Sequence, residues 1–291
     1  MLFFKSSTLK IHSWGGLGSQ LLALNYYLKM LQRFPNRKVI LVQHNGGITM
    51  RNSELDFLSQ RINLHKVQDF NTKSDFSNYS KKFSYLKTVQ IFKKLVIKNF
   101  LNKLNLIITD YSRVTNVKFW TISIRCTYTT VPLTKQDVII LSSMLEISKR
   151  DFRKNSIGVH YRLGDLLTLK PESLISPKAI SEVIGIVVKS NPKIETLIVY
   201  SDSKSGDKFD EIPNSVGIKW ESVATLQTIN DLIEFHYFLG TNSKVSLWVA
   251  IFRWGLDISG EIYLPQDVFS QFKILTKSES GAIDNFTIKS Y

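Results

Sequence analysis

The chain has a single cysteine, Cys126, among 291 residues. An internal disulfide is therefore excluded, as is a zinc site built on paired cysteines. Long hydrophobic runs are missing as well: no stretch approaches the roughly 18 apolar residues that span a bilayer. The opening Met1-Leu2-Phe3-Phe4-Lys5-Ser6-Ser7 has neither an apolar h-region nor a small-residue cleavage site. A cytosolic location is expected on that ground. There is no G-x-x-x-x-G-K-[ST], which argues against a P-loop ATPase or GTPase. No G-x-S-x-G elbow, H-E-x-x-H or D-x-D occurs, and the five histidines show no metal-ligand spacing, so no metal site is expected. Acidic residues are wholly absent from 79 to 105, where seven lysines stand (Lys81, Lys82, Lys87, Lys93, Lys94, Lys98 and Lys103).

What is present is the composition of a globular protein. Hydrophobic residues make up 43% and aromatics 12%, enough for buried cores, which rules out disorder and low-complexity structure. The 38 Lys and Arg against 24 Asp and Glu leave +14. Such a surplus suits a partner that carries phosphates: nucleic acid, an anionic membrane face or a nucleotide. The length suits two domains.

Residues 9–13 read as a strand that runs into Gly15-Gly16-Leu17-Gly18-Ser19-Gln20. Leu21, Leu22, Leu24, Leu28, Leu31 and Phe34 then recur at helical spacing until Pro35 stops the helix, and 38–42 is a buried-type strand. Strand, glycine turn, helix and strand make one unit of a parallel α/β sheet. The same grammar returns later, with strands at 156–161, 196–200 and 261–264 and helices at 177–190, 227–239 and 245–253. The domain boundary is expected near 145 to 152, giving domains of 1–150 and 151–291. From 79 to 105 the lysines interleave with Phe83, Leu86, Val89, Phe92, Leu95, Val96, Phe100 and Leu104, the pattern of a basic amphipathic helix or helix pair.

Three glycines at 15, 16 and 18 allow close backbone approach of an anion at a helix N-terminus, or simply a tight turn. His160-Tyr161-Arg162-Leu163-Gly164-Asp165 falls at the C-terminal end of a strand, where open α/β sheets place their ligand crevice. There Arg162 can fork onto a diphosphate, His160 can donate a second hydrogen bond, and Asp165 can orient the arginine. An Arg162–Asp165 pair in a structural turn is the alternative. Ser201-Asp202-Ser203 offers a carboxylate and hydroxyls at the same sheet edge, for a nucleoside or for a helix cap. The stretch from Gly240 through Asn242, Ser243 and Ser246 to Trp248 opens a further helix, whose N–H groups can hold a phosphate or be capped locally. His236, Trp248 and Trp254 read as core.

Together these segments resemble the alpha-1,2-fucosyltransferase family, within the wider group of GDP-fucose-dependent fucosyltransferases. The family's G-G-L-G-N-Q appears as Gly15-Gly16-Leu17-Gly18-Ser19-Gln20. Its H-x-R-x-G-D is matched in full from His160 to Asp165. S-D-D appears as Ser201-Asp202-Ser203, and N-S-[ST]-F-S-W-W as Asn242-Ser243-Lys244-Val245-Ser246-Leu247-Trp248. The four segments keep their order over residues 10 to 265. The resemblance implies an α/β fold of GT-B type, two Rossmann-like domains with parallel sheets facing across a cleft. It also implies an inverting, metal-independent transfer of L-fucose or a related 6-deoxyhexose from a GDP-sugar to a glycan hydroxyl, in alpha-1,2 linkage, with no cofactor. Arg162 would take the pyrophosphate, and His160, Ser201 and Asp202 the nucleoside. Asn242, Ser243 and Ser246 would lie near the phosphates, and Gly16, Gly18 and Gln20 would form a facing wall. Candidates for the base are His44, Glu54 and Asp165.

Two other readings compete: a nucleic-acid-binding protein using the basic stretch, and a sugar-nucleotide-binding module without activity. Against nucleic acid, the aromatics of that stretch lie on its apolar stripe rather than among its lysines. The stretch also suits docking on an anionic membrane, where lipid-linked acceptors reside, or a solvated helix face.

Overall fold

The computed structural model describes residues 8–46, 52–70, 101, 103–109, 111–148, 152–163, 171–201, 212–213, 215–277, 282–283 and 286–291. The chain divides into two compact units, Met1–Val131 and Pro132–Tyr291. Each is a parallel α/β sheet with its own buried core.

The first unit contains β1 (Leu9–Ser13), α1 (Leu17–Arg33), β2 (Val39–Gly46), β3 (Leu64–Phe70), β4 (Ile107–Ile108) and β5 (Ser123–Ile124). They form a five-stranded sheet in the order β3-β2-β1-β5-β4, parallel throughout. β1 is central, and Leu9 and Ile11 are wholly buried with Leu41 of β2. The apolar stripe of α1 buries Leu17, Leu21, Leu22, Leu24 and Met30. Each such side chain contributes about 1.5–3 kcal/mol on leaving water. Tyr26 of the same helix donates its buried hydroxyl to Val114 O at 2.6 Å. The helix ends at Arg33, just ahead of Pro35, whose ring cannot continue the hydrogen-bond ladder.

The second unit begins with α2 (Lys135–Met144), opened by a reciprocal capping box between Thr134 and Asp137. It continues with β6 (Arg153–Tyr161), α3 (Pro177–Ser190), β7 (Thr196–Ser201), β8 (Gly217–Glu221), α4 (Thr225–Leu232), β9 (Phe235–Leu239), α5 (Lys244–Gly255), β10 (Gly260–Leu264), α6 (Gln266–Thr276), β11 (Ala282–Ile283) and β12 (Phe286–Ser290). The sheet order is β11-β12-β10-β9-β6-β7-β8. Six strands are parallel and β11 pairs antiparallel with β12. Ser176 caps α3 and Pro177 occupies its first turn. That helix lays Ile180, Ile184 and Val187 on Ile157, Val159 and Leu197 of the sheet.

The expected boundary near 145 to 152 and the observed division after Val131 differ by the position of α2. That helix packs against α5 and so belongs with the second unit. One expectation is corrected: residues 227–239 are not a single helix. The helix stops at Leu232, and Phe235–Leu239 is a strand between β10 and β6. Phe235, Phe238 and Leu239 are buried, and a strand covered on both faces reads as a continuous apolar run that mimics a helix segment. The strand 217–221 is not among the expected strands; Ile218 and Trp220 alternate with Lys219 and Glu221, and at the sheet edge every residue is exposed.

No helix among the described residues is long and apolar enough to cross a membrane.

Where α2 meets α5 the approach depends on Gly255, since a Cβ there would lie 2.4 Å from Val138 Cβ. Gly255→Ala is therefore expected to lower the stability of the second unit by about 1–3 kcal/mol, as overpacking does. Denaturant unfolding of the variant measures this, and an unchanged midpoint would show that the helices separate freely.

Candidate functional site

In the second sheet the strands β8-β7-β6-β9-β10-β12 follow the order of dinucleotide-binding sheets, winding outward in both directions from β6. The reversal opens a crevice at the C-terminal ends of β6 and β9, because the connections leave on opposite sides. His160 and Arg162 lie at the first of these ends, and Gly240 and Thr241 follow the second.

Thr241 binds the two ends together. Its hydroxyl donates to His160 O at 2.9 Å and accepts the Arg162 N–H at 3.1 Å. Its own N–H donates to Ser246 Oγ at 3.0 Å. Ser246 Oγ also lies 2.8 Å from His160 Nδ1. Gly240 makes the closeness possible, since a Cβ there would stand 2.6 Å from Ser246 Cβ. Its carbonyl accepts the Tyr291 hydroxyl at 2.5 Å. His160 is buried, and burial, reinforced by the positive charge of Arg162, pushes its pKa down to about 3. The ring is therefore neutral at physiological pH, with a fixed partner at Nδ1. Arg162 is partly buried, with its Nε inside and its backbone N–H tied to Thr241.

The neighbouring candidates have local duties. Ser243 caps α5, accepting the Val245 N–H at 3.1 Å. Asn242 donates through Nδ2 to Ser173 O at 3.0 Å. Its buried Oδ1 has no hydrogen-bond partner. Ser201 is buried at the end of β7, in register with Tyr161. Asp165 and Asp202 lie outside the described residues, as do 79–100 of the basic stretch. Trp248 is wholly buried and Trp254 nearly so, while His236 is half-buried with its ring edge against Phe152 and Tyr237. Beneath the site, the buried guanidinium of Arg253 donates to Phe235 O at 2.9 Å and Ser259 O at 2.5 Å.

In the first unit the glycine turn is closed by its own chain. Gly15 takes a φ of +83°, open to glycine at little cost. Gln20 is wholly buried. It donates through Nε2 to Gly15 O at 2.8 Å and Asn52 O at 3.0 Å, while Oε1 accepts the Glu54 N–H at 2.9 Å. Glu54 Oε1 in turn accepts the Leu17 N–H at 2.9 Å. The positive end of α1 thus already holds a carboxylate beside Gly16, while Gly18 is buried in the first turn. His44 has Nε2 2.8 Å from His12 Nδ1 and its ring stacked on Trp14. Among the described residues no three His, Cys, Asp or Glu side chains are grouped to hold a metal ion.

Sequence reasoning missed Thr241, His12 and Trp14. A β-branched hydroxyl directly after a strand-terminal glycine is the trace Thr241 leaves. His12 and Trp14 stand two apart at the end of β1 and so share one face.

No protein-family model matches the chain, and no curated protein matches it. Among solved structures, the E. coli heptosyltransferase WaaC with ADP is similar at 11% identity and a TM-score of 0.43. The similarity covers 97% of this chain and 93% of that one. It assigns no residue and no ligand here.

The folded protein keeps His160 neutral down to about pH 3, whereas the unfolded chain takes up that proton near the ordinary value of 6.5. Stability from this residue is thus complete above pH 6.5 and is lost as pH falls toward 3. A His160→Gln variant should be less stable than wild type at pH 7, with the gap narrowing on acidification. Thermal midpoints taken from pH 7 to pH 4 measure it; a constant gap would mean that the ring takes up its proton at the same pH in the folded and unfolded states.

Proposed function

We propose that the chain is a metal-independent, inverting glycosyltransferase. In this reading it moves L-fucose or a related 6-deoxyhexose from a GDP-sugar to a hydroxyl of a glycan acceptor, in alpha-1,2 linkage, during synthesis of a bacterial surface polysaccharide. The observation that carries the reading is the position of His160 and Arg162 at the switch point of the second sheet, locked by Thr241 and Ser246.

The Ser246 hydroxyl already accepts one N–H, and directing its proton to His160 Nδ1 places the ring hydrogen on Nε2. A neutral imidazole then offers a donor to the nucleotide without adding charge. Arg162 supplies the charge. As the acceptor oxygen bonds to the anomeric carbon, the bond from that carbon to the β-phosphate breaks and its electron pair leaves with GDP. Negative charge grows on the diphosphate, so a guanidinium there stabilises the transition state more than the ground state. The unpartnered Asn242 Oδ1 supports the same assignment, because a buried acceptor costs about 1–3 kcal/mol until a ligand donor meets it. Ser201 and Asp202 would hold the nucleoside, and Asp165 would orient Arg162. The lysine-rich stretch would keep the enzyme at the inner face of the membrane, near lipid-linked acceptors.

Release of GDP, UDP or ADP from a panel of sugar nucleotides tests the donor. The expected result is GDP release from GDP-fucose or a close relative, unaffected by EDTA. A strict manganese requirement would contradict the mechanism. Arg162→Ala should fold normally and lose on the order of 10²–10³ in kcat. Near-normal turnover by that variant would remove Arg162 from the site.

A further inference from the structure

The surplus charge of the chain belongs to its first unit. Residues 1–131 carry 20 Lys and Arg against five Asp and Glu, while 132–291 carry 18 against 19. No acidic residue occurs before Glu54. The first sheet is parallel throughout, so the segments that lead into its strands gather at one end. That end is opposite the edge where parallel sheets bind ligands. It carries Arg33 at the close of α1, Lys38 before β2, Lys103 before β4 and Lys118 before β5. All four are exposed, and none has an ion-pair partner among the described residues. The segments 8–10, 33–38, 103–106 and 115–122 contain no Asp or Glu.

The same end exposes apolar side chains. Phe119 is 60% exposed, Leu104 46% and Ile122 41%. A short set of bonds holds their segments together. The Phe119 ring meets the Trp120 ring edge to face, with centroids 4.8 Å apart. The Trp120 indole N–H donates to Leu104 O at 2.9 Å. The Thr121 hydroxyl donates to Asn105 O at 2.7 Å and accepts the Lys118 N–H at 3.1 Å. Ile122 N–H donates to Leu106 O at 2.8 Å, and Ile122 O accepts the Lys10 N–H at 3.0 Å. Arg37, just beyond α1, donates to Thr121 O, which fastens this turn to the helix end. Exposed aromatic and aliphatic groups beside cations that no carboxylate neutralises mark an interaction surface.

We propose that the end of the first sheet where its strands begin docks on an anionic phospholipid bilayer. Phe119 enters the interface, and Arg33, Lys38, Lys103 and Lys118 meet the headgroup phosphates. This surface adds to the membrane contact of the proposed function and is independent of the sugar donor. Of its residues only Lys103 and Leu104 belong to the lysine-rich stretch. Lysine and arginine stems lie along apolar surface while their charged ends stay hydrated, and an indole suits the headgroup level. A second copy of this chain does not fit, because two such surfaces would oppose like charges with no carboxylate between them. Nucleic acid would meet the cations but leave Leu104 and Ile122 in water, since aliphatic side chains offer bases no stacking plane. An anionic bilayer satisfies both features at once.

Co-sedimentation of the full chain with vesicles of phosphatidylcholine, with and without phosphatidylglycerol, measures the contact. Binding is expected to the mixed vesicles only, weakening as salt rises. Phe119→Ser should lower the partition on the order of tenfold. Lys38→Gln combined with Lys118→Gln should also lower it and flatten the salt dependence. These side chains are exposed, so the thermal midpoint should not move in either variant. Tryptophan quenching by bromolipids should fall in Trp120→Phe. Equal binding by wild type and Phe119→Ser, or quenching undiminished in Trp120→Phe, would overturn the surface and leave residues 79–100 as the contact. Equal binding to neutral vesicles also overturns it, as does tight binding of an arbitrary oligonucleotide with none to vesicles. GDP release with a water-soluble acceptor should be unchanged in all these variants. Loss of vesicle binding therefore leaves the transferase reading standing, and vesicle binding by a chain that turns over no sugar nucleotide still supports the surface.

Discussion

A single threonine side chain sets the geometry at the switch point of the second sheet. Parallel strands diverge where their connections leave in opposite directions, and the backbone groups at that divergence lose their ladder partners. Thr241 replaces them with one hydroxyl that donates to His160 O and accepts from Arg162 N–H. Everything the second unit offers to a ligand hangs on that tie. His160 is neutral because it is buried, and it is buried because Ser246 and Thr241 close around it. Gly240 is the condition for that closure, since any side chain there would occupy the space of Ser246.

The two glycine-containing turns of the chain reach opposite electrostatic ends. At α1 the Glu54 carboxylate fills the helix N-terminus, and Gln20 welds the 52–54 segment to the turn. A further anion at that position would face a negative charge rather than open N–H groups. At α5 the cap is a neutral serine hydroxyl, and Arg162 stands nearby at the end of β6. Negative charge is therefore better received in the second unit than at the start of α1. The first unit instead presents an exposed indole stacked on one ring of a histidine pair.

Beneath the switch point the second sheet is braced by a cation in an apolar interior. Arg253 is wholly buried and is held by the carbonyls of Phe235 and Ser259, so it joins the start of β9 to the turn before β10. Burial pulls its pKa down to about 9, still charged at neutral pH. Carbonyl dipoles meet that charge, which makes the arrangement directional. β9 is thus tied at both ends, to the turn before β10 by Arg253 and to the end of β6 by Thr241.

Local pattern alone determined much of this. The helical stripe of α1, its stop at Pro35, the Ser176-Pro177 opening of α3 and the strands at 9–13 and 156–161 each depend on residues a few positions apart. The placement of His160 and Arg162 at a strand end was legible for the same reason. Periodicity misread 235–239, because a central strand buried on both faces has no polar phase to distinguish it from a helix. Thr241 and His12 left almost no trace, since their roles come from partners 32 to 81 residues away. Sequence therefore determined which elements form and which chemical groups stand at their ends. Only tertiary structure decided which of those groups are neutral, which are already spent on their own backbone and which still face a ligand, because burial and hydrogen-bond partnership arise between distant strands.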